Sequence, residues 1–542
     1  MLGNMMFKPL LISSLIEHAA QYHSDTKVIS KNMDGSLTET TWLGISDNAK
    51  KYANALKALN IRPSDRVATM AWNNHRHIEA WYAIAGSGMV CHTINPRLFP
   101  EQLTFIINDA NDKVLMFDQS FAALIVSFRA EIPDVQHFVC MSEYDASIVE
   151  IMPDVKFYDD LISTQAANFI WPEFDENTAS ALCYTSGTTG NPKGVLYSHR
   201  STVLHSFAIC FPDSVNLSSS EVVLPVVPMF HVNAWSIPYA AAMVGCTLVL
   251  PGPVLDGKSL VELIDKYQIT IALGVPTLWQ GLLNYARSSG TKLKSLTRTV
   301  VGGATCPSTI ISEFKDRYDC DTIHAWGMTE TSPLGTINHL KAKHDHLSAE
   351  DKLKVRFSQG RPPFGVSIRI TDEENGTQRL ASDGQARGHL QIQGQWIVET
   401  YFNKEKHTLT RDGWFDTGDI ASIDSDGYLF LRDRAKDLIK SGGEWISSAE
   451  LENIALEHPN VEMAAAIAAI HPKWDERPIL IVKKKADNQL TEDELINFYQ
   501  NKIAKWQIPD RVVFVDVIPI SGTGKMVKKD LREQYGRILL EG

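Results

Sequence analysis

The stretch Tyr184-Thr185-Ser186-Gly187-Thr188-Thr189-Gly190-Asn191-Pro192-Lys193-Gly194 sets three glycines, four hydroxyl residues and one lysine beside the apolar Ala181-Leu182-Cys183. Glycine lets backbone amides approach an anion, hydroxyls donate further hydrogen bonds, and lysine supplies the charge. The run predicts a phosphate-binding loop that leaves a buried strand; a flexible Ser/Thr/Gly surface loop is the alternative. It is not a G-x-x-x-x-G-K-[ST] loop: counted from Gly187, Pro192 precedes the lysine and Gly194 follows it.

At 542 residues the chain exceeds the size at which single cores stop growing, so two or more domains are expected. Its make-up is that of an ordinary globular protein, and the net charge of -12 argues against a general nucleic-acid binder, which needs a basic face. The cysteines, Cys91, Cys140, Cys183, Cys210, Cys246, Cys306 and Cys320, form no C-x-x-C pair and several lie in apolar runs. Reduced, mostly buried thiols in a cytoplasmic protein are expected. Leu15, Ile16 and Ala19 recur at helical spacing after Lys8 and Pro9, which reads as a first amphipathic helix rather than a signal peptide. Residues 222–255 carry no Asp, Glu, Lys or Arg, but Pro225, Pro228, Pro238, Pro251 and Pro253 interrupt them. A buried strand, loop and helix lining a pocket is expected there, not a membrane span.

Between residues 40 and 180, helical patterns (48–59, 77–86) alternate with apolar strands (66–71, 114–117, 137–140), which predicts a mainly parallel sheet covered by helices. Runs at 222–225, 247–250 and 269–273 predict a second sheet of the same kind. Val301-Gly302-Gly303-Ala304 follows a strand and is small enough for a flat ring to lie on its backbone. Ala325-Trp326-Gly327-Met328-Thr329-Glu330 combines an aromatic face, a hydroxyl and a carboxylate suited to magnesium, which prefers oxygen ligands. Phe415-Asp416-Thr417-Gly418-Asp419 offers a carboxylate to two ribose hydroxyls. At 431–437 the texture turns charged, reading as a linker with hinge character, and Ser441-Gly442-Gly443-Glu444 follows. Beyond it a helix (447–457), strands (463–470, 479–482, 512–515) and a Thr491/Glu494 capping box are predicted, and Pro519-Ile520-Ser521-Gly522-Thr523-Gly524-Lys525 closes the pattern.

Together these motifs resemble the adenylate-forming superfamily of acyl-CoA synthetases, adenylation domains and luciferases, over nearly the whole chain and in the family's order. Pro228-Met229-Phe230-His231 looks like the acyl-CoA synthetase form of its motif, and no aspartate stands nearby to hold an amino group. Stretches 1–15 and 228–235 resemble medium-chain fatty-acid ligases and, among them, bacterial 3-(methylthio)propionyl-CoA ligases. Three positions depart from the superfamily pattern: Asp433 for a glycine, Trp326 for a tyrosine, and His389 for a glutamate.

The resemblance implies an α/β fold: a large N-terminal domain (1–433) of layered sheets with helices, a hinge (434–437) and a small mobile α+β C-terminal domain (438–542). It implies ATP, Mg2+ and coenzyme A as ligands, a small carboxylic acid as substrate, and a homodimer. In its first half-reaction the acid attacks the α-phosphate of ATP. Thr185, Ser186, Gly187, Thr188, Thr189 and Lys193 hold the outer phosphates, Thr329 touches the α-phosphate, and Glu330 with Thr185 holds magnesium. Gly303, Ala304, Ala325, Trp326 and Gly327 surround adenine, Asp419 and Arg434 fix the ribose, and Lys525 bridges acid and phosphate. In the second, rotation about Lys436 brings Ser441, Gly442 and Gly443 to the site, and His231 moves aside for the thiol. Val232, Trp235, Gly302, Trp326 and Pro333 line the acid pocket. Gly327 is expected to leave room for an acid longer than acetate and Trp235 to cap a long chain, so a short-to-medium acid follows, thioethers included.

Overall fold

The computed structural model describes residues 1, 3–185, 191–304, 306–372, 376–404, 408–442, 444–485, 488–520 and 526–540. Two layered sheets dominate. The first has seven strands in the order Lys156–Phe157, His137–Cys140, Asp112–Phe117, Arg66–Met70, Val90–Thr93, Ala179–Tyr184 and Gly194–Ser198. All its pairings are parallel except the last. The second has eight, in the order Leu334–Ile337, Asp321–Gly327, Arg298–Val301, Ile271–Gly274, Val222–Pro225, Thr247–Leu250, Lys27–Lys31 and Leu37–Thr41, antiparallel only at its two edges. Interior strands of this kind are covered on both faces and need apolar runs, and the buried pattern of Ile271–Gly274 and Asp112–Phe117 meets that need.

The first helix, Ile12–Tyr22, buries Ile12, Leu15, Ile16 and Ala19 as its spacing predicts. At roughly 1.5–3 kcal/mol per large apolar side chain, this stripe outweighs a helix start with no side-chain cap. Trp42, Trp81, Tyr52, Tyr82 and Tyr239 join it in the largest core cluster. The uncharged stretch 222–255 resolves into the strand Val222–Pro225, a 3-10 turn Val232–Ser236, the short helix Ile237–Val244 and the strand Thr247–Leu250. Among the described residues, no helix is long and apolar enough to cross a membrane.

A four-stranded antiparallel sheet follows: Val366–Thr371, Gly388–Gly394, Phe415–Ile423 and Leu429–Arg434. The charged run expected to be linker is thus a strand up to Arg434, with Asp419 paired to Arg434 and Ile420 to Asp433. The last sheet pairs Glu444–Ile446, Ile439–Ser441, Asp475–Lys484 and Val461–His471, with Arg511–Phe514 also along Asp475–Lys484. It has a core of its own around Ile439, Leu451, Leu480 and Tyr499. The Thr491/Glu494 capping box opens the helix Glu492–Phe498 as predicted. All seven cysteines are free, and six are buried.

Candidate active site at the carboxyl ends of the strands

Parallel sheets bind ligands in the crevice outside the carboxyl ends of their strands. Of the predicted site residues, those within 185–193, 231–235, 302–304 and 325–330 lie at or just beyond the ends of Ala179–Tyr184, Val222–Pro225, Arg298–Val301 and Asp321–Gly327. The glycine-rich loop connects two antiparallel strands, with Tyr184 paired to Gly194, and a helix, His199–Cys210, begins only after the return strand. Its neck is closed twice: Thr185 N donates to the Lys193 carbonyl at 2.9 Å, and Lys193 N donates to Thr185 Oγ1 at 3.2 Å. The Tyr184 hydroxyl, donating to Asp109 at 2.6 Å, anchors the outgoing strand. Ser186, Gly187, Thr188 and Thr189 lie outside the described residues.

Beside the neck, the 3-10 turn Thr329–Thr331 presents Glu330, which is buried. Tyr197 donates its hydroxyl to the Thr329 carbonyl at 2.6 Å, and Val398 N donates to the Glu330 carbonyl at 2.9 Å. Tyr401, absent from the sequence reading, donates its hydroxyl to Glu330 Oε1 at 2.7 Å, while the Lys193 ammonium sits 4.8 Å from its ring centroid. Burial and the adjoining Glu330 carboxylate push the Tyr401 phenol well above its ordinary range, so it stays a donor at neutral pH. The pair of aromatics in Thr400-Tyr401-Phe402-Asn403 carries no signal of this contact in sequence. Magnesium takes oxygen ligands and keeps several for phosphate and water. The Glu330 carboxylate, with one oxygen taken by Tyr401, fits such an ion without a closed protein cage. Among the described residues, no group of three or more His, Cys, Asp or Glu could form one.

Trp326 Nε1 donates to Asp419 Oδ2 at 3.1 Å, and Arg434 Nε donates to Asp419 Oδ1 at 2.8 Å. The carboxylate is thereby aimed by two donors in a buried setting. The Trp326 ring packs into the core with Val366, Ile392 and Phe415, so it braces the four-stranded sheet as well as facing the site. Gly327 has a different cause from the one expected. A Cβ there would lie 1.7 Å from the Pro333 carbonyl oxygen, so the glycine admits backbone rather than leaving space for an acid. Gly303 has a φ of +81° and, like Ala304, is exposed, as a surface for a flat ring requires. Ala325 lies beside Gly302, its carbonyl 3.2 Å from a Cβ placed there.

Five consecutive non-glycine residues, Val232 to Ser236, have φ between 41° and 57°. Left-handed backbone costs roughly 1 kcal/mol or more per residue, so tertiary contacts must hold this turn. Asn233 provides them: Thr93 Oγ1 and Cys183 Sγ both approach its Oδ1, at 3.3 and 3.1 Å. The turn aims Trp235 at Gly302, where a Cβ would come within 3.1 Å of the indole. His231 and Val232 share a cleft with Thr185, Tyr184, Phe230, Thr93 and Asn95. Pro333 is buried behind Gly327.

Of the residues predicted for the second half-reaction, His231 shares the cleft with Thr185, whereas Ser441 ends the strand Ile439–Ser441 of the last sheet. Ser441 Oγ accepts from Arg477 at 3.1 Å, and Gly442, at φ +60°, lies against Trp474. Lys436 is exposed, whereas its neighbour Asp437 pairs with Arg532 at 2.7 Å. Gly443 and Lys525 lie outside the described residues. His389 faces Asp416 across the sheet at 3.7 Å, too far for a hydrogen bond, and nothing else in the structure explains it.

The AMP-binding enzyme family matches residues 15–402, and the AMP-binding enzyme C-terminal domain matches residues 450–525. The chain belongs to the AMP-binding enzyme family. Over 535 residues it is 55% identical to the 3-methylmercaptopropionyl-CoA ligase of Ruegeria lacuscaerulensis, covering 99% of both chains. It is 54% identical to the medium-chain-fatty-acid–CoA ligase of Ectopseudomonas oleovorans, covering 100% of this chain and 98% of that one. It is 43% identical to a long-chain-fatty-acid–CoA ligase of Thermus thermophilus, covering 98% and 97%. In fold it resembles the anthranilate CoA ligase AuaEII in complex with anthranoyl-AMP, with a TM-score of 0.86, 23% identity and 98% of each chain covered. ATP-bound MatB from Rhodopseudomonas palustris gives a TM-score of 0.82 at 23% identity, covering 97% and 99%.

Proposed function

We propose that this chain is an ATP-dependent, AMP-forming acid–CoA ligase that activates a short-to-medium carboxylic acid, 3-(methylthio)propionate foremost. The observation that carries the reading is full-length identity of 55% to a 3-methylmercaptopropionyl-CoA ligase. The medium-chain ligase, at 54%, keeps a broader acid range as the second reading.

In this reading the acid carboxylate attacks the α-phosphorus of ATP, the bond to the outgoing pyrophosphate breaks, and an acyl-adenylate forms. Negative charge is redistributed over phosphate oxygens, so the site's task is positioning and electrostatic stabilisation. Lys193 and the loop 185–190 hold the β- and γ-phosphates, Thr329 the α-phosphate. Mg2+, held at Glu330 and Thr185, would neutralise the phosphate charge. Asp419, aimed by Trp326 and Arg434, takes the ribose hydroxyls. Gly303, Ala304, Ala325, Trp326 and Gly327 flank adenine. Val232, Trp235, Gly302, Trp326 and Pro333 line the acid site, and Lys525 bridges acid and α-phosphate.

Residues 1–433 and 438–542 act as two bodies joined by 434–437. Rotation about Lys436 withdraws Lys525 and presents Ser441, Gly442 and Gly443 to pantetheine. His231 shifts, the CoA thiolate attacks the adenylate carbonyl, and AMP leaves. The free, mostly buried thiols suit a cytoplasmic enzyme, and the family resemblance supports a homodimer. Incubation with ATP, Mg2+, CoA and acids from three to twelve carbons tests the reading: AMP and thioester should appear in equal amounts. AMP without thioester would indicate an acceptor other than CoA.

A further inference from the structure

Lys193 and Glu330 are opposite charges on neighbouring segments, and both are wanted by ATP rather than by each other. The ion pairs among the described residues do not join them. Tyr401 stands between: its hydroxyl occupies Glu330 Oε1 at 2.7 Å, and its ring lies 4.8 Å from the Lys193 ammonium. The segment that carries it is stapled to both sides. Val398 N donates to the Glu330 carbonyl at 2.9 Å, and Phe402 N donates to the Gly194 carbonyl, the residue after Lys193, at 2.8 Å. Behind the ring, Val398 and Tyr401 pack on Ala181, Cys183, Val195 and Tyr197, the strands that lead into and out of the loop.

We propose that Tyr401 is a positioning residue that spaces the phosphate-binding lysine from the cation-binding carboxylate, keeping both charges available for Mg2+·ATP. An aromatic face attracts an ammonium without neutralising it. A phenol hydroxyl takes one carboxylate oxygen and leaves the second available to a cation. Remove the ring, and Lys193 can collapse onto Glu330, cancelling the two charges the nucleotide needs. This inference rests on the phosphate and metal roles proposed above for Lys193 and Glu330.

Calorimetric titration of Mg2+·ATP, without acid or CoA, reads the effect on binding directly. Tyr401→Leu should weaken Mg2+·ATP binding about tenfold or more, since it removes both the ring that faces Lys193 and the hydroxyl bound to Glu330. Tyr401→Phe, which keeps the ring under Lys193, should lose roughly a third as much on a logarithmic scale. An acyl-sulfamoyl adenosine, which lacks the β- and γ-phosphates, should bind either variant within about twofold of the parent. The losses from Tyr401→Phe and Glu330→Gln should fall short of additivity when combined. Mg2+·ATP binding unchanged by Tyr401→Leu, or equal losses for both ligands, would overturn the inference. If Lys193→Met and Glu330→Gln themselves leave Mg2+·ATP binding unchanged, the phosphate-site reading is what fails. Should the leucine variant not fold, the phenylalanine variant and its coupling to Glu330 carry the test.

Discussion

The carboxylate of Asp433 caps the helix Ser448–Leu456: its Oδ2 accepts from both Ser448 N and Ser448 Oγ at 2.6 Å. Lys528 donates to the same Ser448 hydroxyl at 2.6 Å and pairs with Glu452 at 2.7 Å. Asp433 stands on the last strand of the four-stranded sheet, whereas Ser448, Glu452 and Lys528 all lie beyond Lys436. Where the superfamily carries a glycine, this chain has a buried hydrogen-bonded latch. If the two bodies rotate about Lys436, that latch can close in only one orientation. Asp433→Gly should therefore shift adenylate formation and thioester formation in opposite directions, each by about threefold or more, since bonds to charged groups contribute roughly 1.5–3 kcal/mol. Single-turnover assays of each half-reaction, the second begun from supplied acyl-adenylate, decide this. A common decrease in both would reduce Asp433 to a helix cap.

Trp235 is pressed against Gly302, and if it closes the acid pocket as proposed, its removal should lengthen the acids accepted. Trp235→Ala should raise kcat/KM for octanoate relative to 3-(methylthio)propionate by about tenfold or more, given roughly 1–3 kcal/mol per methylene in an apolar pocket. An unchanged ratio would place the end of the chain elsewhere.

Gly327 separates packing from specificity. Because a Cβ would meet the Pro333 carbonyl at 1.7 Å, Gly327→Ala must move backbone. Urea unfolding should show a loss on the order of 3 kcal/mol, with the ranking of acids unchanged. A stable variant with altered acid preference would restore the reading of this glycine as pocket space.

Glu79 is fully buried and accepts from Asn48 Nδ2 at 3.0 Å and from the Tyr158 hydroxyl at 2.9 Å. Burial raises its pKa to about 7, against the opposing pull of Asn48, Tyr158 and Arg76, with Asp159 also nearby. The folded state thus favours the protonated form. That contribution is complete below the unfolded value near 4.5 and is lost as pH rises through about 7. Glu79→Gln should therefore gain stability relative to the parent between pH 5 and pH 8, by roughly 3 kcal/mol at most. Thermal melts at both pH values measure it, and a constant difference would contradict the shift.

Interior parallel strands were the most legible elements, because burial on both faces forces continuous apolar runs. His137–Cys140, Val222–Pro225 and Thr247–Leu250 begin and end where their sequence predicts. The edge strand Gly194–Ser198 and the four-stranded sheet did not announce themselves, since antiparallel strands with one polar face lack that signature. Charge misled at 431–434, where Arg432 and Arg434 are strand residues whose partners, Ser422 and Asp419, are supplied by the neighbouring strand. In the candidate site, the residues proposed for the chemistry stand in sequence motifs, but what holds them does not. Tyr401 under Lys193 and Asn233 between Thr93 and Cys183 are contacts between distant segments. No local pattern encodes them.

The most direct measurement is exchange of labelled pyrophosphate into ATP in the absence of CoA. Activation as an adenylate requires exchange that depends on 3-(methylthio)propionate and Mg2+, needs no CoA, and is lost in Lys525→Ala. Thioester formation without any CoA-independent exchange would contradict an acyl-adenylate at this site.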